Sequence, residues 1–114
     1  MAREVFSMKL VMAIVGNDDS SKVAGALTKN GFSATKLATT GGFLRSGNTT
    51  FLVGTDDGKV DRVIDIISEQ SCRRTQFVPN TSAIDMGMYS SYPVKVTVGG
   101  STIFVLNVER FERV

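Results

Sequence analysis

The sequence predicts an α+β domain, a ferredoxin-like βαββαβ sandwich with an inserted β-hairpin or long loop before the last core strand. Three observations predict it. An unbroken apolar run stands near the start and a second strand-like run stands near the end. Between them, two segments carry apolar residues at helical spacing. A polar, glycine-rich stretch separates two further strand-like segments, so the order is βα, then β–loop–β, then α, then a final strand. The 114 residues suit one domain. Residues 1–7 read as an N-terminal tail and 8–114 as that single domain.

"MKLVMAIVG" (8–16) is rich in Val, Ile and Met and reads as a buried central strand. In the next segment Asp18, Asp19 and Ser20 are candidate N-caps. Val23, Ala24 and Leu27 follow at helical spacing and Asn30-Gly31 forms a stop, which predicts a helix over about 20–29. "FSATKLATT" (32–40) and "NTTFLVGT" (48–55) read as strands. Val60, Val63, Ile64 and Ile67 then mark an amphipathic helix within 56–71. Residues 72–93 are expected to be mostly irregular. "VKVTV" and "STIFVLNV", joined by Gly99-Gly100, read as a terminal hairpin. An antiparallel sheet with both helices on one face leaves its other face apolar and uncovered, which suggests oligomerisation.

Composition removes several classes of function. There is no histidine, so Ser-His-Asp and Cys-His nucleophile systems and His-ligated metals are out. The single cysteine, Cys72, forms no internal disulfide, fits a reducing compartment, and is expected to be a buried or inert thiol. Asp18-Asp19 and Asp56-Asp57 sit at helix starts, where carboxylates serve as caps, and no metal site is expected. The net charge of +2 is not clustered enough to argue for a nucleic-acid polymer. No apolar run approaches the roughly 20 residues of a membrane span, so the reading is a cytoplasmic, non-membrane protein.

The stretch "ATTGGFLRSGNTTF" (38–51) is the strongest functional signal. Gly41 and Gly42 let backbone N–H groups approach a ligand and form an anion-binding nest. Thr39, Thr40, Ser46 and Thr49 add hydroxyls and Arg45 adds charge. Asn48 suits the amide edge of a purine, and Phe43 suits stacking on a base. No Walker A or dinucleotide fingerprint is present. The alternative is a plain flexible loop in which Phe43 and Leu44 make anchoring contacts.

"ATKLATTGGFLRSGNTTFLVG", "MKLVMAIV", "KNGF" and "YPVKVTVGGSTIFVLNVERF", with their spacing, resemble the PII-like cyclic di-AMP receptors of Gram-positive bacteria, the PstA or DarA family. The resemblance spans roughly residues 8–112. It implies a PII-like domain, a homotrimer whose sheets face inward, and three cyclic di-AMP sites in the clefts between subunits. It implies loops at 40–48 and about 72–93 that change conformation on binding and control a protein partner. By motif position, Thr35 and Asn48 would contact an adenine. Gly42, Phe43 and Leu44 would wrap the ligand, and Gly54 would allow close approach. Phe104 and Phe111 would complete the pocket from an adjacent subunit. The ligand is then cyclic di-AMP, and no cofactor is implied.

The chain departs from the family's "NNFRATK" block at Gly31 and Ser33, and from a C-terminal Gln at Arg113. Ser33 implies a missing guanidinium–phosphate contact, with Arg45 an open candidate to replace it. Met86, Met88, Tyr89 and Tyr92 in the long loop fit a partner contact or packing over the ligand.

Other readings are weaker. A PII-type module binding ATP, ADP or another nucleotide would carry a basic pair after the last strand's turn and, for nucleotidylation, a Tyr in the 40–48 loop, and this chain has neither. A phosphodiester hydrolase would need converging carboxylates. RNA binding on the sheet would need surface aromatics and a basic face. The protein is therefore read as a binding module and not an enzyme.

Overall fold

The computed structural model describes residues 7–37, 47–78 and 93–114. In chain order the elements are β1 (Met8–Gly16), α1 (Asn17–Lys29), β2 (Ala34–Leu37), β3 (Asn48–Asp56), a 3-10 turn (Asp57–Lys59), α2 (Val60–Ser71), β4 (Arg74–Val78), β5 (Val94–Val98) and β6 (Ser101–Asn107). Four strands form one antiparallel sheet in the order β2-β3-β1-β6. This order, with its two helices, is consistent with a ferredoxin-like fold. The other two strands, β4 and β5, form a separate antiparallel arm.

Strand β1 is apolar on both faces because both faces need cover. Val11, Ala13 and Val15 point to the helices and are fully buried. They meet Phe51 and Val53 of β3, Val23 and Leu27 of α1, and Val63, Ile66 and Ile67 of α2 in one core cluster. Leu10, Met12 and Ile14 point the other way and are only half-buried. The register puts Leu52, Phe104 and Leu106 on this second face beside them. Phe104 is 52% exposed and Leu106 44%. One face of the sheet is thus a core and the other an apolar surface that the described residues leave open.

Helix α1 starts at Asn17, three residues before the expected point. Gly16 occupies the N-cap in an extended conformation, with no side-chain cap. Asp18, Asp19 and Ser20 all lie inside the helix. Ser20 donates back to the Asn17 carbonyl at 2.9 Å. Asp19 is drawn inward by Arg74 of β4, whose Nη2 and Nη1 donate to its two carboxylate oxygens at 2.9 and 3.3 Å. The helix ends as expected. Gly31 has φ +83°, its N–H donates to the Thr28 carbonyl, and the Phe32 N–H donates to the Leu27 carbonyl. This is the Schellman arrangement, and Phe32 then packs on the core cluster. With the Phe32 N–H committed there, the second strand begins at Ala34 and not at 32. The expected residues 38–40 of that strand lie outside the described residues.

Three expectations about residues 72–107 are corrected. Strand β5 pairs with β4, not with β6, so no terminal hairpin forms. Gly99 and Gly100, with φ of +81° and +88°, instead carry the chain from one sheet to the other. The segment expected to be irregular begins with β4, whose "RTQFV" is too polar to read as a core strand and leaves Phe77 exposed. Cys72 is exposed, not buried, because it lies in the two-residue link just after α2.

The base of the arm is tightly built. The Gly100 N–H donates to the Ser71 carbonyl at the end of α2, and Arg74 Nη1 also donates to the Cys72 carbonyl at 3.3 Å. A Cβ at Gly99 would lie 2.5 Å from that carbonyl oxygen and 2.6 Å from Arg74 Nη1. Gly99→Ala is therefore expected to lower stability by about 1–3 kcal/mol, through strain at positive φ and the clash, read as a drop in the urea midpoint.

The hydrogen bonds from Arg74 hold the Asp19 carboxyl below the usual carboxylate range against the opposing effect of burial, and the charges of Arg74 and Lys22 act in the same direction. A folded-state value below the unfolded one means the pair contributes fully above about pH 4 and is lost as pH falls through the folded value. Arg74→Ala should unfold more easily than wild type at neutral pH. Urea midpoints of the two proteins should draw together as the pH falls below the ordinary carboxylate range.

Candidate functional site

The expected site residues on β2 and β3 share the open face of the sheet. Thr35 pairs with Leu52 and Leu37 pairs with Thr50, which places Thr35, Leu37, Asn48, Thr50, Leu52 and Gly54 on one side. Thr35, Asn48 and Gly54 are all exposed. Four residues of register separate Thr35 from Asn48, roughly 13 Å at strand spacing. That span suits different parts of one dinucleotide better than a single base. Gly42, Phe43 and Leu44 lie outside the described residues, as do Arg45 and the tyrosines and methionines of the long loop.

The C-terminal base of the glycine-rich loop is fastened to the start of α1. The Asn17 N–H donates to the Gly47 carbonyl at 2.8 Å. Thr49 Oγ1 donates to Asn17 Oδ1 at 2.6 Å. Thr49, expected as a ligand-side hydroxyl, instead points to the helix side and is buried. Its neighbour Thr50 takes the open face. The Thr50 hydroxyl is buried and has no hydrogen-bond partner among the described residues. Neither role of Asn17 was legible from sequence, since it depends on a residue 32 positions away.

At the other end of β3 the site continues into an open cleft of about 510 Å³. Gly54, Ser33, Gly31 and Phe32 line it, together with Met8, Asp56, and Lys59 and Arg62 from the α2 end. A Cβ at Gly54 would meet only Met8 Cε, at 3.6 Å, so the strand itself leaves room for a side chain there. The Gly31 departure has a local explanation. The position needs positive φ to stop the helix, and Gly and Asn are the residues that adopt it most readily.

Phe104 is not part of this cluster within one chain. Phe104 sits opposite Met12 on β6, at the far edge of the sheet from β2. Three strand spacings, roughly 14 Å, separate the two edges. Phe111 follows β6 in a segment without regular structure and is 63% exposed. Among the described residues no group of three or more His, Cys, Asp or Glu could hold a metal ion. No described helix is long and apolar enough to cross a membrane.

A protein-family model described as "cyclic-di-AMP receptor" matches residues 8–114, nearly the whole chain. The chain belongs to the cyclic di-AMP receptor family. The chain is also similar to a solved structure of a functionally unknown protein from Pediococcus pentosaceus ATCC 25745. The two are 41% identical, with a TM-score of 0.76, over 96% of this chain and 100% of the other. Family membership supports cyclic di-AMP as the ligand and a binding rather than a catalytic role.

Asn17→Ala strands the buried Thr49 hydroxyl without an acceptor. It is expected to cost about 1–2 kcal/mol in thermal or urea unfolding, with faster amide exchange at Gly47 and Asn48 than elsewhere in β3.

Proposed function

We propose that this protein is a cyclic di-AMP-binding signalling protein, assembled as a homotrimer, whose loops change conformation on binding and so control a protein partner in the cytoplasm. The observation that carries the reading is the receptor-family match across residues 8–114. The geometry supports it in two ways. The apolar open face, with Leu10, Met12, Ile14, Leu52, Phe104 and Leu106, suits burial against further copies of the chain. Thr35, Asn48 and Gly54 lie on β2 and β3 and Phe104 lies on β6, beyond β1, so in a trimer Phe104 and Phe111 of one subunit would face the Thr35, Asn48 and Gly54 of another.

In this reading Asn48 and Thr35 hydrogen-bond the ligand, and the backbone around Gly42, Phe43 and Leu44 closes over it. Gly54 lets it lie against the strand, and the two phenylalanines contribute apolar and stacking surface. The control step follows from differential affinity. A ligand that binds one loop arrangement better than another shifts the loops toward it, and a partner that reads that arrangement is controlled. No cofactor enters. The lone cysteine fits a cytoplasmic, reducing setting.

Titration calorimetry with cyclic di-AMP, and with ATP and cyclic di-GMP as comparators, tests the reading. The expected result is micromolar or tighter binding of cyclic di-AMP alone, about one per subunit. Light scattering is expected to give the mass of three chains. Asn48→Ala should weaken binding by roughly tenfold or more with little change in melting temperature. Uptake of ATP in place of cyclic di-AMP would turn the reading toward a nucleotide-binding PII-type module.

A further inference from the structure

Two cations line the cleft at the Gly54 end, and they are held differently. Lys59 is offset by Asp56, at 3.9 Å. Arg62 is braced without being neutralised. Its Nη2 donates to Asn30 Oδ1 at 2.8 Å, and Asn30 Nδ2 in turn donates to the Ala26 carbonyl of α1 at 2.7 Å. A neutral amide thus fixes the guanidinium over the cleft. Among the described residues Arg62 has no carboxylate partner, whereas Lys22, Lys59, Arg74 and Arg110 each have one. One donated hydrogen bond leaves most of the guanidinium's five N–H groups for an incoming anion, in the fork geometry that matches a phosphate.

The surroundings suit an anionic, partly apolar ligand. Gly31 and Gly54 keep side chains out of the opening, and Phe32 with Met8 gives an apolar wall. Ser33 adds a hydroxyl. The cleft also runs into the site already described. Ser33 lies two residues from Thr35 on β2's leading end, roughly 7 Å along the chain, and Gly54 belongs to both.

We propose that Arg62, oriented by Asn30 and assisted by Lys59, supplies the guanidinium that binds a phosphate of the dinucleotide at the Gly54 end of the site. This rests on the cyclic di-AMP reading and names the residue that sets its electrostatics. The cation comes from the second helix, whereas Ser33 lies in the link just before β2. Arg62 sits in the first turn of α2, where the helix N-terminus also favours negative charge.

The test is titration of the full chain with cyclic di-AMP at low and at moderate salt, for wild type, Arg62→Ala, Arg62→Lys and Asn48→Ala. Arg62→Ala is expected to weaken binding by roughly ten- to a hundredfold and to flatten the salt dependence. Arg62→Lys should recover part of the affinity and most of the salt dependence, since it keeps the charge and loses the fork. Because Arg62 is exposed, all variants are expected to melt near the wild type. Wild-type affinity and salt dependence in Arg62→Ala, beside weakened binding in Asn48→Ala, would overturn the assignment and leave the receptor reading standing. A loss of affinity with unchanged salt dependence would make Arg62 a structural brace for Asn30 and overturn it equally. Failure of the wild type to bind cyclic di-AMP would sink the receptor reading and this assignment with it.

Discussion

The central strand β1 has two apolar faces, and the described residues supply cover for only one. This constraint governs the rest of the molecule. Val11, Ala13 and Val15 draw both helices to one side and define the core with Phe51 and Val53. The same alternation leaves Leu10, Met12 and Ile14 on the other side, where the register adds Leu52, Phe104 and Leu106. A single-residue shift would exchange the two sets, so the register is held by the demand for burial. The surface that carries Thr35, Asn48 and Gly54 is therefore also the surface that the described residues leave open. In the proposed reading, binding and association draw on one face.

A second organising point is the first turn of α1. Asn17 holds the base of the glycine-rich loop through Gly47 and Thr49. Two residues later Asp19, only 1% exposed, holds the base of the β4–β5 arm through Arg74. The bases of loop and arm are thus tied to one short piece of helix. The strand before it turns into that helix at Gly16 with no intervening loop, so the core fixes the position of both attachments.

Much of this was legible in the sequence, for physical reasons. Both core helices and strands β1, β3 and β6 announce themselves because burial of one face imposes a period. The helix stop at Asn30-Gly31 was legible because few residues tolerate positive φ. What was not legible depends on pairing across distance. The Gly-Gly step between "VKVTV" and "STIFVLNV" looks like a hairpin turn. Only the polar strand β4, invisible to hydrophobic pattern, shows that β5 has another partner. Asp19 had the composition of a cap, and a half-buried guanidinium 55 residues away claims it instead. In the site, Asn48 and the glycines stood out by type, while Asn17, Asn30 and Arg62 acquire meaning only when the helices meet the sheet. Phe104 was placed in the pocket by family likeness alone, and no periodicity would have assigned it there.

The ladder between β1 and β6 has a consequence for how the molecule comes into being. Lys9 pairs with Asn107, and their side chains also meet, across 98 positions of sequence. The central strand is made first, yet one of its two neighbours is made last. During synthesis β1 therefore waits with an open hydrogen-bonding edge until nearly the whole domain has emerged. Closing so long a loop is entropically slow, and contacts this remote in sequence favour late, cooperative completion of the sheet. The edge left open in that interval is flanked by the same apolar side chains that the described residues leave open in the folded chain. The nascent protein is thus most prone to mispairing at the place where the finished one is suited to meet its own copies.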